Sequence, residues 1–258
     1  MKNRRLKRSS SGQVIVITAL MVALVLLSTA IFVVETEKDV PTGGADANDV
    51  YSAYQQAARS TLISALANVT NGGNPAVLTA DFNELDSLIT SHSYQSILLM
   101  NFTPLNEAPY VNGVWISWGT NGQGISSAYV TLDFNSTGTS TTSSLECPVD
   151  ITSQANLSGS CLQLNATLYQ VNLTVNMLNE GKPALAQNFA FYYEDAALSA
   201  GNWTQVTSPI ITDFGNGTYA VSFDAQVQQP GDPLAVSMRC EDQRGILVCA
   251  NVTCANSG

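Results

Sequence analysis

From Val14 to Val34 the chain runs 21 residues without a charge, and every face of that run is apolar. Beyond it, apolar positions recur at spacings of three and four, and after about residue 110 at every second position. Each rhythm predicts a different element. A helix of 21 residues at about 1.5 Å per residue spans roughly 30 Å, the thickness of a bilayer's hydrocarbon core. Val14, Leu20, Leu24, Leu27, Ile31 and Val34 surround its axis, which suits lipid on all sides better than one stripe against a core. Its hydroxyls, Thr18, Ser28 and Thr29, bond back to the carbonyl one turn earlier in such a helix and need no water. The run is expected to be a single membrane anchor, because no second apolar run of comparable length follows.

Residues 35–45 hold Pro41, Gly43 and Gly44 and read as a hinge. Residues 46–108 read as a helical module. Tyr51, Tyr54, Ala58, Leu62, Leu66 and Val69 fall on one helical face, and NGGNP ends that helix. A second helix is expected over TADFNELDSLITSH, with Phe82, Leu85, Leu88 and Ile89 inward. Asp81, three residues before Glu84, suggests a capping box at its start.

Residues 109–258 read as a β-rich sandwich. GVWISWGTNGQGISSAYVTLDFN predicts a hairpin with Trp115 and Trp118 on opposite faces. NSTGTSTTSS, residues 135–144, reads as a Ser/Thr-rich loop. Further on, Leu168, Gln170, Asn172, Thr174 and Asn176 alternate with Tyr169, Val171, Leu173, Val175 and Met177. Strands at this spacing, separated by NEGKPA, QQPGDP and EDQRG turns, suggest an antiparallel sandwich. It looks like an immunoglobulin-like module, although the Cys…Trp…Cys hallmark of antibody domains is missing. The expected fold class is therefore α+β: a membrane helix, a short helical module and an immunoglobulin-like β-sandwich.

Charge orients this plan. Lys2, Arg4, Arg5, Lys7 and Arg8 crowd residues 1–13, while Glu35, Glu37 and Asp39 follow the apolar run. The positive-inside rule puts the N-terminus in the cytoplasm and the remainder outside. Removal of the whole run as a secretory signal is the competing reading, with Ser28-Thr29-Ala30 as the small-residue cut site. Against it, the apolar run continues through Ile31, Phe32, Val33 and Val34.

A basic tail, a small-residue segment and Gly12-Gln13 opening onto an apolar helix resemble the class III signals of archaeal type IV pilin-like proteins. The resemblance covers about 35 of 258 residues. It implies cleavage before the helix, among Ser10, Ser11, Gly12 and Gln13. It also implies that the helix survives as anchor and, in a fibre, as the packed bundle through which subunits self-assemble. The early glutamate common in that family is absent here, since Val14, Ile15, Val16, Ile17 and Thr18 open the run. This bears more on fibre assembly than on processing.

The external part has five basic against twenty acidic residues. No basic face is available to neutralise phosphates, so nucleic acid is not an expected partner. Nine N-x-S/T acceptors lie in this part: Asn68, Asn101, Asn135, Asn156, Asn165, Asn172, Asn202, Asn216 and Asn251. None has proline in the middle, and the pattern points to an N-glycosylated surface protein. All five cysteines, Cys147, Cys161, Cys240, Cys249 and Cys254, are external as well, consistent with an oxidising compartment. Cys147 and Cys161 bracket what reads as a loop and are the expected pair. Which of Cys240, Cys249 and Cys254 pair is open.

Catalytic patterns are scarce. His92 is the only histidine, and there is no C-x-x-C, G-x-S-x-G or Walker motif. DFNELD lacks the glycine a calcium loop needs, and Glu194-Asp195 reads as a solvated acidic pair. No cofactor and no catalytic activity are expected. The leading expectation is a membrane-anchored structural or adhesive surface protein whose partners are the lipid bilayer and copies of itself. The alternatives are a tethered sugar- or ligand-binding module, favoured by exposed Trp115, Trp118 or Trp203, and a secreted hydrolase.

Overall fold

The computed structural model describes residues 47–92, 97–119, 121–137, 142–195, 201–228 and 234–254. The basic leader, the apolar run Val14–Val34 and the hinge lie outside these residues. Among the described residues no helix is long and apolar enough to cross a membrane. The chain divides into two units, Met1–Tyr51 and Ser52–Gly258. Of the first, only Ala47–Tyr51 is described, the opening of helix α1 (Ala47–Thr70). The second contains the rest of that helix, helix α2 (Val77–His92) and twelve described strands.

The larger sheet contains β1 (Ile97–Pro104), β2 (Val114–Trp118), β3 (Gln123–Thr137), β4 (Thr142–Gln163), β5 (Leu168–Asn179), β6 (Lys182–Pro183), β9 (Ile210–Asp213) and β10 (Thr218–Gln226). Its order is β1-β3-β4-β5-β10-β9, with β2 also on β3 and β6 on β5. The smaller sheet contains β7 (Ala186–Glu194), β8 (Trp203–Gln205), β11 (Leu234–Asp242) and β12 (Leu247–Cys254), in the order β12-β11-β7-β8. All the pairings are antiparallel.

The expected α+β class is therefore corrected: the described residues are 56% strand and 20% helix, mainly β with two helices among them. The supposed helical module also contributes a strand, since β1 pairs along the second half of β3. The expected immunoglobulin-like sandwich of about seven short strands is corrected too, by strand number and length. One sheet has eight strands and the other four, and β3 and β4 are 15 and 22 residues long. The polar stretches that read as loops become strands through pairing. Asn135–Thr137 lie opposite Thr142–Ser144, so most of the expected 135–144 loop is ladder. The missed signal in β4 is alternation with small inward residues: Val149, Ile151, Ser153, Ala155 and Leu157 are all buried. Ser and Ala weaken the hydropathy contrast but leave the period of two intact.

These long strands give the unit two ends. Around Ala155, Leu157 and Cys161 the inner face of the large sheet packs on Phe191, Met238, Val248 and Ala250 of the small one. In β5, Tyr169, Val171, Leu173, Val175 and Met177 face inward in strict alternation with half-buried or exposed polar residues. Towards the other end, helices take over the covering role. Leu62, Leu66 and Phe82 are fully buried, Tyr54 stacks on Phe134 at 6.3 Å, and Phe82 meets Phe102 at 5.2 Å.

The helix boundaries follow from their caps. Asn74 Oδ1 accepts the Ala76 amide at 2.9 Å and its carbonyl the Val77 amide at 3.0 Å, and Pro75 in the turn between them has no N–H to satisfy. The turn held by Asn74, and not the expected Asp81–Glu84 box, thus leads into α2, and Asp81 lies inside the helix. Leu88, expected inward, is 57% exposed. Phe82 and Ile89 share a stripe two turns apart, and Leu88 falls about 100° away from Ile89. At the end of α1, Gly72 takes φ +95°, the left-handed conformation glycine adopts at little cost, and its amide donates to Val69 O.

Candidate functional site

A charged and hydrogen-bonded cluster lies where α1, the large sheet and the β11–β12 turn meet. Asp242 is fully buried, and its Oδ1 accepts the amides of Arg244 at 2.8 Å and Ile246 at 3.0 Å. Its Oδ2 accepts from Arg244 Nε at 2.7 Å and from Ser153 Oγ at 2.7 Å. Arg244 reaches on to Glu180 Oε1 at 2.7 Å, Ser153 Oγ at 2.9 Å and Thr152 O at 3.3 Å. Glu180 also accepts the Thr152 amide and pairs with Arg59 of α1 at 3.4 Å. Burial works against the Arg244 charge, but the hydrogen bonds it donates to Glu180 and Asp242 and their negative charges outweigh it and raise its pKa.

This cluster holds the fold and offers no chemistry. Ser153 is fully buried and donates its hydrogen bond to a carboxylate already paired with a guanidinium, so the hydroxyl is out of reach of any substrate. Sequence reading missed the cluster because its members come from four separate turns and strands. The one signal was Asp242 two residues before Arg244 in a chain with few charges. The same corner fastens α1: Thr70 Oγ1 accepts the Leu247 amide at 3.1 Å, and Asn71 Nδ2 donates to Gly245 O at 3.0 Å.

The tryptophans separate as their spacing requires. Trp115 packs edge-on against Tyr110 at 5.9 Å, and Tyr110 bonds Ser127 Oγ at 2.8 Å. Trp118 lies on the opposite face, 36% exposed, donating from Nε1 to Ser126 Oγ at 3.2 Å. Trp203, on β8, is 38% exposed.

The outer face of the large sheet is lined with amides and hydroxyls. A groove of about 430 Å³ runs from Gln170, Ser222 and Asp224 on that sheet to Tyr193 and Gln205 of the small one, with Ile210 also at its border. A neighbouring groove of about 420 Å³ shares Ile210 and Ser222, and the acceptor Asn172 and its hydroxyl partner Thr174 line it. None of the nine N-x-S/T asparagines is buried. Asn68, Asn101, Asn165, Asn172 and Asn216 are exposed, while Asn135, Asn156, Asn202 and Asn251 are half-buried. Two of the exposed ones cap tight turns: Asn165 Oδ1 accepts the Thr167 amide at 2.9 Å, and Asn216 Oδ1 that of Thr218 at 3.1 Å. Asn251 differs, for its Oδ1 is buried without a hydrogen-bond partner.

The positions of the cysteines correct the expected Cys147–Cys161 pairing. Cys147 and Cys161 sit on the single strand β4, about 45 Å apart at roughly 3.3 Å per residue, so they do not meet. Cys240 lies opposite Val248, and Cys249 lies opposite Arg239. Residues opposed in a ladder share a face, so Cys240 points into the core and Cys249 away from it. Burial pushes the Cys240 thiol up to about 12, helped by the nearby Cys249, Asp242 and Glu241. Burial also raises Cys249, to about 11, against the pull of Arg239.

Among the described residues no group of three His, Cys, Asp or Glu side chains is arranged to hold a metal ion. No protein-family model, curated protein or solved structure matches the chain.

Proposed function

We propose that this chain is a glycosylated surface protein with a structural or adhesive role, tethered to a membrane by the apolar run Val14–Val34. The observation that carries this reading is the placement of the glycan acceptors. All nine lie on accessible or half-accessible positions of a β-rich unit, several of them on outward strand faces and turn tips. A chain with few charges gains its solvated surface from these amides and hydroxyls, and glycans extend that surface. The 21-residue apolar run behind five cations supports a tether with the β-rich unit outside. The resemblance to pilin-like proteins supports processing near Gly12 and assembly through the same run.

Intact mass and N-terminal sequence of protein from washed membranes, before and after deglycosylation, test this reading. A chain starting between Ser11 and Val14 that loses mass on deglycosylation is the expected result. A chain starting at Ile31 in the medium, or one with no mass change, overturns it.

A second reading is a tethered sugar-binding module. The adjoining grooves favour it, since amides, hydroxyls and Asp224 there offer the mixed donors and acceptors a sugar needs. The two readings compete at one place. A glycan on Asn172 would fill the groove that a free sugar would use. Site occupancy at Asn172 therefore decides between them there.

A further inference from the structure

Cys161 and Cys254 come from different sheets yet occupy one core. Cys161 is the inward residue of β4 that lies opposite Val171 of β5, and Cys254 ends β12, opposite Leu234. They are 1% and 0% exposed and belong to the same apolar cluster. β12 packs against β4, and the β2–β3 turn ties the two together. The Gly122 amide donates to Asn251 O at 2.7 Å, the Asn251 amide to Gly119 O at 3.1 Å, and the Leu157 amide to Gly122 O at 2.6 Å. The Cys161 side chain is close enough to the Cys254 thiol to lower its pKa. Two thiols side by side in one core, on backbones held in place by ladders, are placed for a disulfide.

We propose that Cys161 and Cys254 form an inter-sheet disulfide in the mature protein, leaving Cys147, Cys240 and Cys249 as thiols. The reaction requires a disulfide oxidant, such as a small dithiol-derived disulfide or a disulfide-carrying oxidase. The Cys254 thiol loses its proton and attacks one oxidant sulfur, breaking the oxidant's S–S bond and releasing one thiolate. The Cys161 thiol then loses its proton and attacks Cys254 Sγ in the mixed disulfide, and the second oxidant thiol leaves. The two cysteines give up two electrons and two protons, and the oxidant ends as two thiols. Cys254 suits the first step, since the neighbouring Cys161 side chain lowers its pKa against the opposing effect of burial. It also stands at the end of a strand, where local opening is easiest.

In the cell the oxidant rests on the external location proposed above, but the pairing itself is testable apart from it. The full chain is refolded with a mixture of reduced and oxidised glutathione, alkylated, deglycosylated and digested with trypsin and a protease cutting before aspartate. Cleavage before Asp150 separates Cys147 from Cys161, and cleavage after Arg244 separates Cys240 from Cys254. Fragmentation of the linked peptides then distinguishes Cys249 from Cys254. The expected product is a Cys161–Cys254 link, accompanied by a rise in the thermal midpoint of roughly 10 °C that dithiothreitol reverses. That shift persists in Cys147→Ser and Cys249→Ser and disappears in Cys254→Ser. A different link, or five alkylated cysteines after refolding, overturns the proposal. A link formed in glutathione but missing from protein isolated from cells supports the pairing and counts against the external location.

Discussion

Arg244 closes on Asp242 at both ends of the carboxylate, Nε to Oδ2 at 2.7 Å and its own amide to Oδ1 at 2.8 Å. A turn two residues long thus buries a full charge and satisfies it, and it does so where α1, β4 and the β5–β6 turn converge.

Removing one partner of this pair is expected to be severe. Asp242→Asn leaves the Arg244 charge with one carboxylate fewer in a site where its side chain is 18% exposed. The expected loss is roughly 3–5 kcal/mol. Arg59→Ala breaks an ion pair whose arginine is 46% exposed, and is expected to cost less than about 1 kcal/mol. Urea unfolding of both variants checks the ranking, and equal losses would count against a buried clamp.

Alkali is expected to weaken the fold through Cys240. Its folded pKa rises from 9.0 to about 12 because burial disfavours the thiolate. The unfolded chain therefore releases this proton first. Stability from the neutral thiol is complete below pH 9 and is lost as pH rises towards 12, by at most about 1.4 kcal/mol per pH unit. Cys249, raised to about 11, adds to the same slope. Unfolding free energies between pH 8 and 11 should fall less steeply in Cys240→Ala than in the parent.

A methyl group at residue 124 is expected to push the two sheets apart. A Cβ on Gly124 would run into the Cys249 carbonyl oxygen, which is backbone and does not yield. Gly124→Ala should cost about 1–3 kcal/mol, whereas the exposed Ser160→Ala should stay within about 0.5 kcal/mol. Thermal unfolding of the pair makes the comparison, and a neutral Gly124→Ala would mean that β12 does not lie so close to β3.

Glycan occupancy should follow exposure. Asn165 and Asn216, exposed at turn caps, are expected to be fully occupied, and Asn251, with its buried Oδ1, to be the poorest acceptor. Thr167→Ala and Thr218→Ala should each remove one glycan's mass from the intact protein. Glycopeptide mass spectrometry showing Asn251 filled and Asn165 empty would reverse the expected order.

What the sequence determined by itself is what depends on local periodicity and local turn chemistry. The alternation in β5, the apolar stripe of α1 from Tyr54 to Val69, the β2–β3 hairpin and the opposite faces of Trp115 and Trp118 were all legible, because each is a relation between near neighbours. Tertiary structure alone decided the rest. Thr142–Ser144 become strand only because Asn135–Thr137 pair with them, and Leu88 faces outward because Phe82 and Ile89 define the packed stripe. The cysteines illustrate the physical reason best. Spacing along the chain suggested Cys147 with Cys161, but an extended β4 sets them far apart and brings Cys161 to Cys254 from the opposing sheet. The Asp242–Arg244–Glu180–Ser153 cluster is of the same kind. Its members share no local pattern, and only long-range strand pairing brings their charges together.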